Sequence, residues 1–221
     1  MINICRAFVS LCVLLVWKDL HWFDALLSST WSTLRQSDVV RLESFEPILA
    51  SASFALWLNL FRVCDALPAL HRFRIEPQSS TVDWSTFDGH HLLSALAAYL
   101  LPLSLFDLCF PRRVLPSEAP TVVQLVGGVA GALVVYDFLF FWIHLAFHKS
   151  PGLYKFHRVH HEQRTMRAAE TLRLGFVDGS LQVLCSIAAL HIVRAHPLTR
   201  AVFNCVITFL LCEIHSGFDF P

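Results

Sequence analysis

Residues 122–147 form an apolar run of 26 residues in which Asp137 is the only formal charge. As a helix the run is ~39 Å long, against ~30 Å for the hydrocarbon core of a bilayer. Five further apolar runs accompany it, at 2–17, 47–61, 92–110, 180–193 and 201–214. The chain of 221 residues suffices for one domain, but its composition argues against a soluble one. Hydrophobic residues make up 55% and charged residues 15%, where a globular domain carries ~25% charged. The expected fold is therefore an all-α integral membrane domain of about four spanning or hairpin-forming helices.

Other classes fall away quickly. Seventeen Lys and Arg balance seventeen Asp and Glu, so no net charge attracts nucleic acid. Nineteen phenylalanines exclude disorder. The seven cysteines are scattered among apolar runs without a C-x-x-C, the pattern of buried reduced thiols rather than disulfides or a zinc knuckle. Pro111, Pro116 and Pro120 prevent any helix from crossing 111–121 intact. The runs at 180–193 and 201–214, separated by Arg194 to Arg200, read either as a hairpin of short or re-entrant helices or as a buried pair packed against the others. Residues 148–173 are the most basic segment and are expected on the cytoplasmic side.

The chemistry lies in the histidines. Five of twelve fall within residues 144–161. His144 and His148 stand at i and i+4 on one helix face; His157, His160 and His161 follow at i, i+3 and i+4. Imidazole is the commonest metal ligand near neutral pH, and all-nitrogen sites suit iron, zinc, copper or nickel. The surplus length of the 122–147 helix brings His144 and His148 out at the cytoplasmic interface, beside the basic segment. Polar groups at such a helix end read as a functional site. Asp137, seven residues before His144 on the same face, is expected to orient an imidazole from the second shell. His215, ending the last apolar run on the same side, is a sixth ligand candidate. Leu145 stands where a zinc protease of the H-E-x-x-H type needs glutamate, so that motif is absent and the protease reading is the weaker one. A metal transporter would place ionisable groups at midplane depth, whereas these cluster at one interface.

The run from Asp137 through Trp142 to His144 and His148, then Leu153-Tyr154-Lys155 and His157-x-x-His160-His161, resembles the fatty acid hydroxylase/sterol desaturase superfamily. The tail Glu213-Ile-His215-Ser-Gly-Phe-Asp-Phe-Pro221 and the segment Val177-Asp178-Gly179 are similar to its sterol-oxidising members. The resemblance implies a multi-pass membrane oxygenase of the endoplasmic reticulum with two non-haem irons. It would hydroxylate or desaturate a sterol or other lipid with O2, fed by cytochrome b5 or a reductase. His144 and His148 match the first box, His157, His160 and His161 the second, and His215 the tail. No catalytic residue separate from the metal ligands is implied.

The family-like domain is expected over 90–221, with 1–89 an N-terminal membrane-associated region. Gly175 stands where the sterol desaturase branch carries a histidine, and Leu145 where the first box often has a basic residue. The family also has a further H-x-x-H-H box beyond the tail, not reached by Pro221. The domain is thus expected to be C-terminally incomplete, with an under-ligated metal and no turnover by this chain as it stands. The alternative is a non-catalytic membrane relative with a partial metal site.

Overall fold

The computed structural model describes residues 18–75, 97, 100–106, 108–110, 115–162 and 166–220. The run at 2–17 and His90-His91 lie outside them, as do parts of the run at 92–110. The elements are α1 (Leu20–Leu34), the single turn α2 (Asp38–Arg41), α3 (Phe45–Ala66), a 3-10 turn (Pro68–Phe73), α4 (Val122–Lys149), α5 (Pro151–His161), a second 3-10 turn (Ala168–Leu172), α6 (Phe176–Ile192) and α7 (Pro197–His215). Residues 100–106 add a helical stretch that packs Leu103 against α3 and α6. No β-strand occurs among the described residues; an isolated bridge joins Arg74 to Phe218. By length and composition α3, α4 and α7 can each cross a membrane, and α6 is a shorter apolar helix. The expected all-α membrane domain is what forms.

Its longest helix starts at a reciprocal cap. The Gln124 N–H donates to Thr121 Oγ1 at 3.2 Å, and the Thr121 N–H donates to Gln124 Oε1 at 2.9 Å. From there α4 runs 28 residues, ~42 Å, with Val126, Val134, Phe138, Phe141 and Trp142 exposed on its outer side. Lipid would cover such a face. The inner side carries Ala132 and Tyr136, packed towards α6 and α7, and Phe147, which meets α5. On the far side of the bundle α3 lies along α7, with Phe54, Phe61, Phe203, Ile207 and Leu211 in one core.

The last helix begins earlier than the apolar run suggests, at Pro197 rather than near Ala201. His196 caps it, its Nδ1 accepting from the Leu198 N–H at 3.1 Å while its Nε2 meets the Glu118 carbonyl at 3.0 Å. Arg200 reads in sequence as part of a polar break. In the fold its guanidinium forks onto Glu46 of α3, at 2.6 and 2.7 Å, and Glu46 is 1% exposed. Neutralised in this way, the charge sits inside the helix instead of ending it.

Breaking a buried ion pair from one side strands the other charge, whereas replacing both partners by apolar groups relieves it. Arg200→Met should therefore cost ~3–5 kcal/mol. The paired replacement Glu46→Leu with Arg200→Met should recover most of that loss. Denaturation in detergent checks it; equal loss in the single and paired variants would refute the account.

Candidate metal centre

Helix α4 does not run on into α5, because Ser150 precedes Pro151. A residue before proline is pushed to extended backbone, and Ser150 sits at φ −112°, ψ 115°. Pro151 then opens α5 as its first residue, where the missing N–H is harmless. This break turns α5 back against the end of α4. Phe147, 2% exposed, stacks on the His157 ring at 5.2 Å and 8° and so fixes the angle between the two helices.

The reversal gathers four imidazoles. His144, His148, His157 and His161 each offer one ring nitrogen, all within 4.8 Å of one another. Nε2 of His148 lies 3.1 Å from that of His144, and His161 Nε2 lies 3.1 Å from His148 Nε2 and 2.9 Å from His157 Nε2. Two nitrogens each ~2.1 Å from one first-row metal, at right angles, stand ~3.0 Å apart. The observed edges have that length. His160 and His215 form a neighbouring pair, with Nε2 atoms 3.5 Å apart and rings 5.2 Å apart.

Two of the outer nitrogens are held as a metal site needs them. His157 Nδ1–H donates to Asp178 Oδ2 at 2.7 Å, both side chains being 1% exposed. His215 Nδ1–H donates to the Leu211 carbonyl at 2.8 Å. Each bond fixes the tautomer that turns the Nε2 lone pair inward, the usual arrangement behind a ligating histidine. His160 has its own backbone hydrogen bond, at Arg173. Nδ1 of His144 is buried with no hydrogen-bond partner.

Burial, followed by the neighbouring imidazoles, pushes His160 down from its ordinary 6.5 to about 4. The same causes lower His157 and His161. These rings are therefore neutral at pH 7, with lone pairs available to a cation. This donor set fits iron or another first-row metal.

All six histidines named from the sequence thus lie at one end of the bundle, four in one cluster and two beside it. Asp137 is different. It is exposed on α4, and the carboxylate that meets an imidazole is Asp178, at the start of α6. The spacing explains why. Seven residues put Asp137 on the face of His144 but ~10 Å away along the axis, beyond hydrogen-bond reach. The signal for Asp178 in the sequence was an acid in the first turn of the helix after the second box. Gly175, immediately before that helix, has no room for a side chain: a Cβ there would stand 2.6 Å from the Phe156 carbonyl oxygen. The α5 backbone consequently rests directly against the start of α6 and brings His157 to Asp178.

Fold and site together define a helical membrane protein with an imidazole cluster at one end that could hold a metal. A family model described as fatty acid hydroxylase matches residues 129–221. The chain is 31% identical over 209 residues to "Cholesterol 25-hydroxylase" of Mus musculus, covering 89% of this chain and 68% of that protein. It is 30% identical over 216 residues to the Homo sapiens "Cholesterol 25-hydroxylase", covering 88% and 74%. To "Cholesterol 25-hydroxylase-like protein 1, member 2" of Danio rerio it is 29% identical, covering 93% and 78%. No solved structure matches it significantly. The chain belongs to the fatty acid hydroxylase/sterol desaturase superfamily.

Two outcomes follow from the geometry. Asp178→Asn keeps the shape but loses the carboxylate that holds His157 in register, so metal affinity should fall ~10–100-fold. Competition with a chelator measures this, and unchanged affinity would show that the contact does not serve the metal. The second outcome concerns pH. In the metal-free protein His160 has a folded pKa below its unfolded value, so the unfolded chain binds more protons between pH 6.5 and about 4. Its contribution to stability is complete above that window and lost on acidification through it. Thermal unfolding of metal-free protein should weaken across the window, and His160→Gln should flatten the dependence.

Proposed function

We propose that the protein is a membrane-bound oxygenase that hydroxylates a sterol or related lipid with O2, using two non-haem irons. The observation that carries the reading is the four-imidazole cluster, in a chain whose relatives include cholesterol 25-hydroxylases. His144, His148, His157 and His161 would hold one iron, and His160 with His215 would belong to the other. Iron would supply the oxidising power to break an unactivated C–H bond with O2, two electrons and two protons, which no side chain can do.

The remaining work falls to the protein. Asp178 and the Leu211 carbonyl hold His157 and His215 with their lone pairs inward. Phe147 and the apolar inner faces of α4, α6 and α7 keep water from the buried side of the cluster. A lipid or sterol edge would be held between helices, where a non-polar substrate is bound by apolar side chains. The exposed bases Lys149, Lys155 and Arg158 at the histidine end suit a cytoplasmic position and docking of an electron donor such as cytochrome b5 or its reductase. The endoplasmic reticulum membrane is the location we infer from the family. Residues 90–221 would carry the chemistry and residues 1–89 would form the membrane-associated remainder.

The decisive experiment offers cholesterol to microsomes carrying the protein, with O2 and reductant. A hydroxysterol that disappears with His144→Ala supports the proposal and overturns the expectation that this chain as it stands does not turn over. Bound metal with the sterol returned unchanged would favour the alternative, a non-catalytic relative that keeps the metal site.

A further inference from the structure

The histidine end of the bundle contains a second buried ion pair, built from the N-terminal third of the chain. Arg74 and Asp65 pair through Nη2 and Oδ1, their side chains 6% and 7% exposed. Asp65 lies near the end of α3, and Arg74 follows the 3-10 turn after it. Arg74 does more than neutralise Asp65. Its Nη1 donates to the Met166 carbonyl at 3.4 Å, and its guanidinium lies 4.5 Å from the centre of the Phe218 ring. Met166 belongs to the segment that leaves α5 after His160 and His161. Phe218 stands three residues beyond His215.

The backbone repeats the connection. Ile75 N–H donates to the Gly217 carbonyl at 3.0 Å, and Asp219 N–H donates to the Phe73 carbonyl at 2.7 Å. Gly217 turns the chain at φ +73°, and a Cβ there would stand 2.7 Å from the Met166 carbonyl oxygen. Three segments therefore meet at one guanidinium: the end of α3, the exit from α5 and the tail after α7. His160 lies on α5 six residues before Met166, and His215 two residues before Gly217; their Nε2 atoms face each other at 3.5 Å.

We propose that Arg74 is a positioning residue for the His160–His215 pair, clamping the tail after α7 to the exit of α5 so that the two imidazoles stay opposed. The clamp acts on one pair only. His144 and His148 lie on α4, whereas Arg74 meets Asp65, Met166 and Phe218, and His157 is held by Phe147 and Asp178. That the pair serves a metal rests on the proposed function; that Arg74 holds it does not.

The test labels histidines of the metal-free protein with diethyl pyrocarbonate and maps the sites by mass spectrometry. In Arg74→Met, labelling of His215 and His160 should rise several-fold while that of His144 and His148 stays as in the parent. Arg74→Lys keeps the charge but cannot span Asp65 and Met166 together, and should lie between the two. The control is the paired replacement of Glu46 and Arg200, the ion pair between α3 and α7 at the opposite end, which should leave all labelling unchanged. Unaltered His215 labelling in Arg74→Met would overturn the inference. So would an equal rise at His144 and His148, or the same rise in the control. Metal content is the separate readout: metal lost in both His215→Ala and Arg74→Met supports the whole scheme. Metal unaffected by His215→Ala, with the labelling shift as stated, upholds the clamp and removes His215 from the metal.

Discussion

Two imidazoles one turn apart on a straight helix can grip a metal from one side only. The centre depends on the chain turning back on itself within two residues of His148, and the Ser150–Pro151 step does this. Proline denies α4 its continuation, the extended backbone of Ser150 redirects the chain, and α5 returns with His157 and His161 facing the first pair. A residue without that restriction at position 151 would allow a longer helix, with the two boxes strung along one face and their nitrogens far apart. The four ring nitrogens converge because the backbone is broken there.

The membrane explains why so much of the polar chemistry sits at helix ends. Between those ends a backbone in lipid must satisfy its own hydrogen bonds, and α3, α4 and α7 do so as uninterrupted helices. Two buried charges of α3 each meet a partner near a helix end. Glu46 with Arg200 joins α3 to α7 at one end, and Asp65 with Arg74 joins α3 to the tail at the other. Helix association in lipid has little hydrophobic drive of its own, so close packing sets register, while such polar contacts hold the helix ends. With the register set, α7 delivers His215 at the height of α5.

Local periodicity made the helices and the histidine pairs legible in the sequence, since both are properties of a single element. The run at 122–147 became α4, and the i, i+4 and i, i+3 spacings of the histidines translated directly into shared faces. What the sequence concealed are contacts between elements. Asp137 shares a face with His144 but is two turns away, whereas Asp178 is far along the chain and reaches His157 across a helix boundary. Arg200 looked like the end of a helix because its partner, Glu46, is 154 residues away. Arg74 carried no signal at all, since its role exists only where three distant segments meet.

The same separation bears on what a bound metal does for the fold. Each histidine box is half of a site, and neither half encloses a cation alone. A cation shared by His144 and His148 on one side, and by His157 and His161 on the other, would add its binding energy to the packing of α5 against α4. The unfolded chain does not preassemble that site, so affinity for the metal and stability of the hairpin are linked. Without a metal, burial and the neighbouring rings make adding protons to His157 and His161 unfavourable. The hairpin then relies on the Phe147–His157 stack, the Asp178 hydrogen bond and the close seat of α5 against Gly175. Those three contacts all bear on α5 near His157. That ring is the best anchored of the four, so in the metal-free protein it is the fixed point towards which the more exposed His148 and His161 must close.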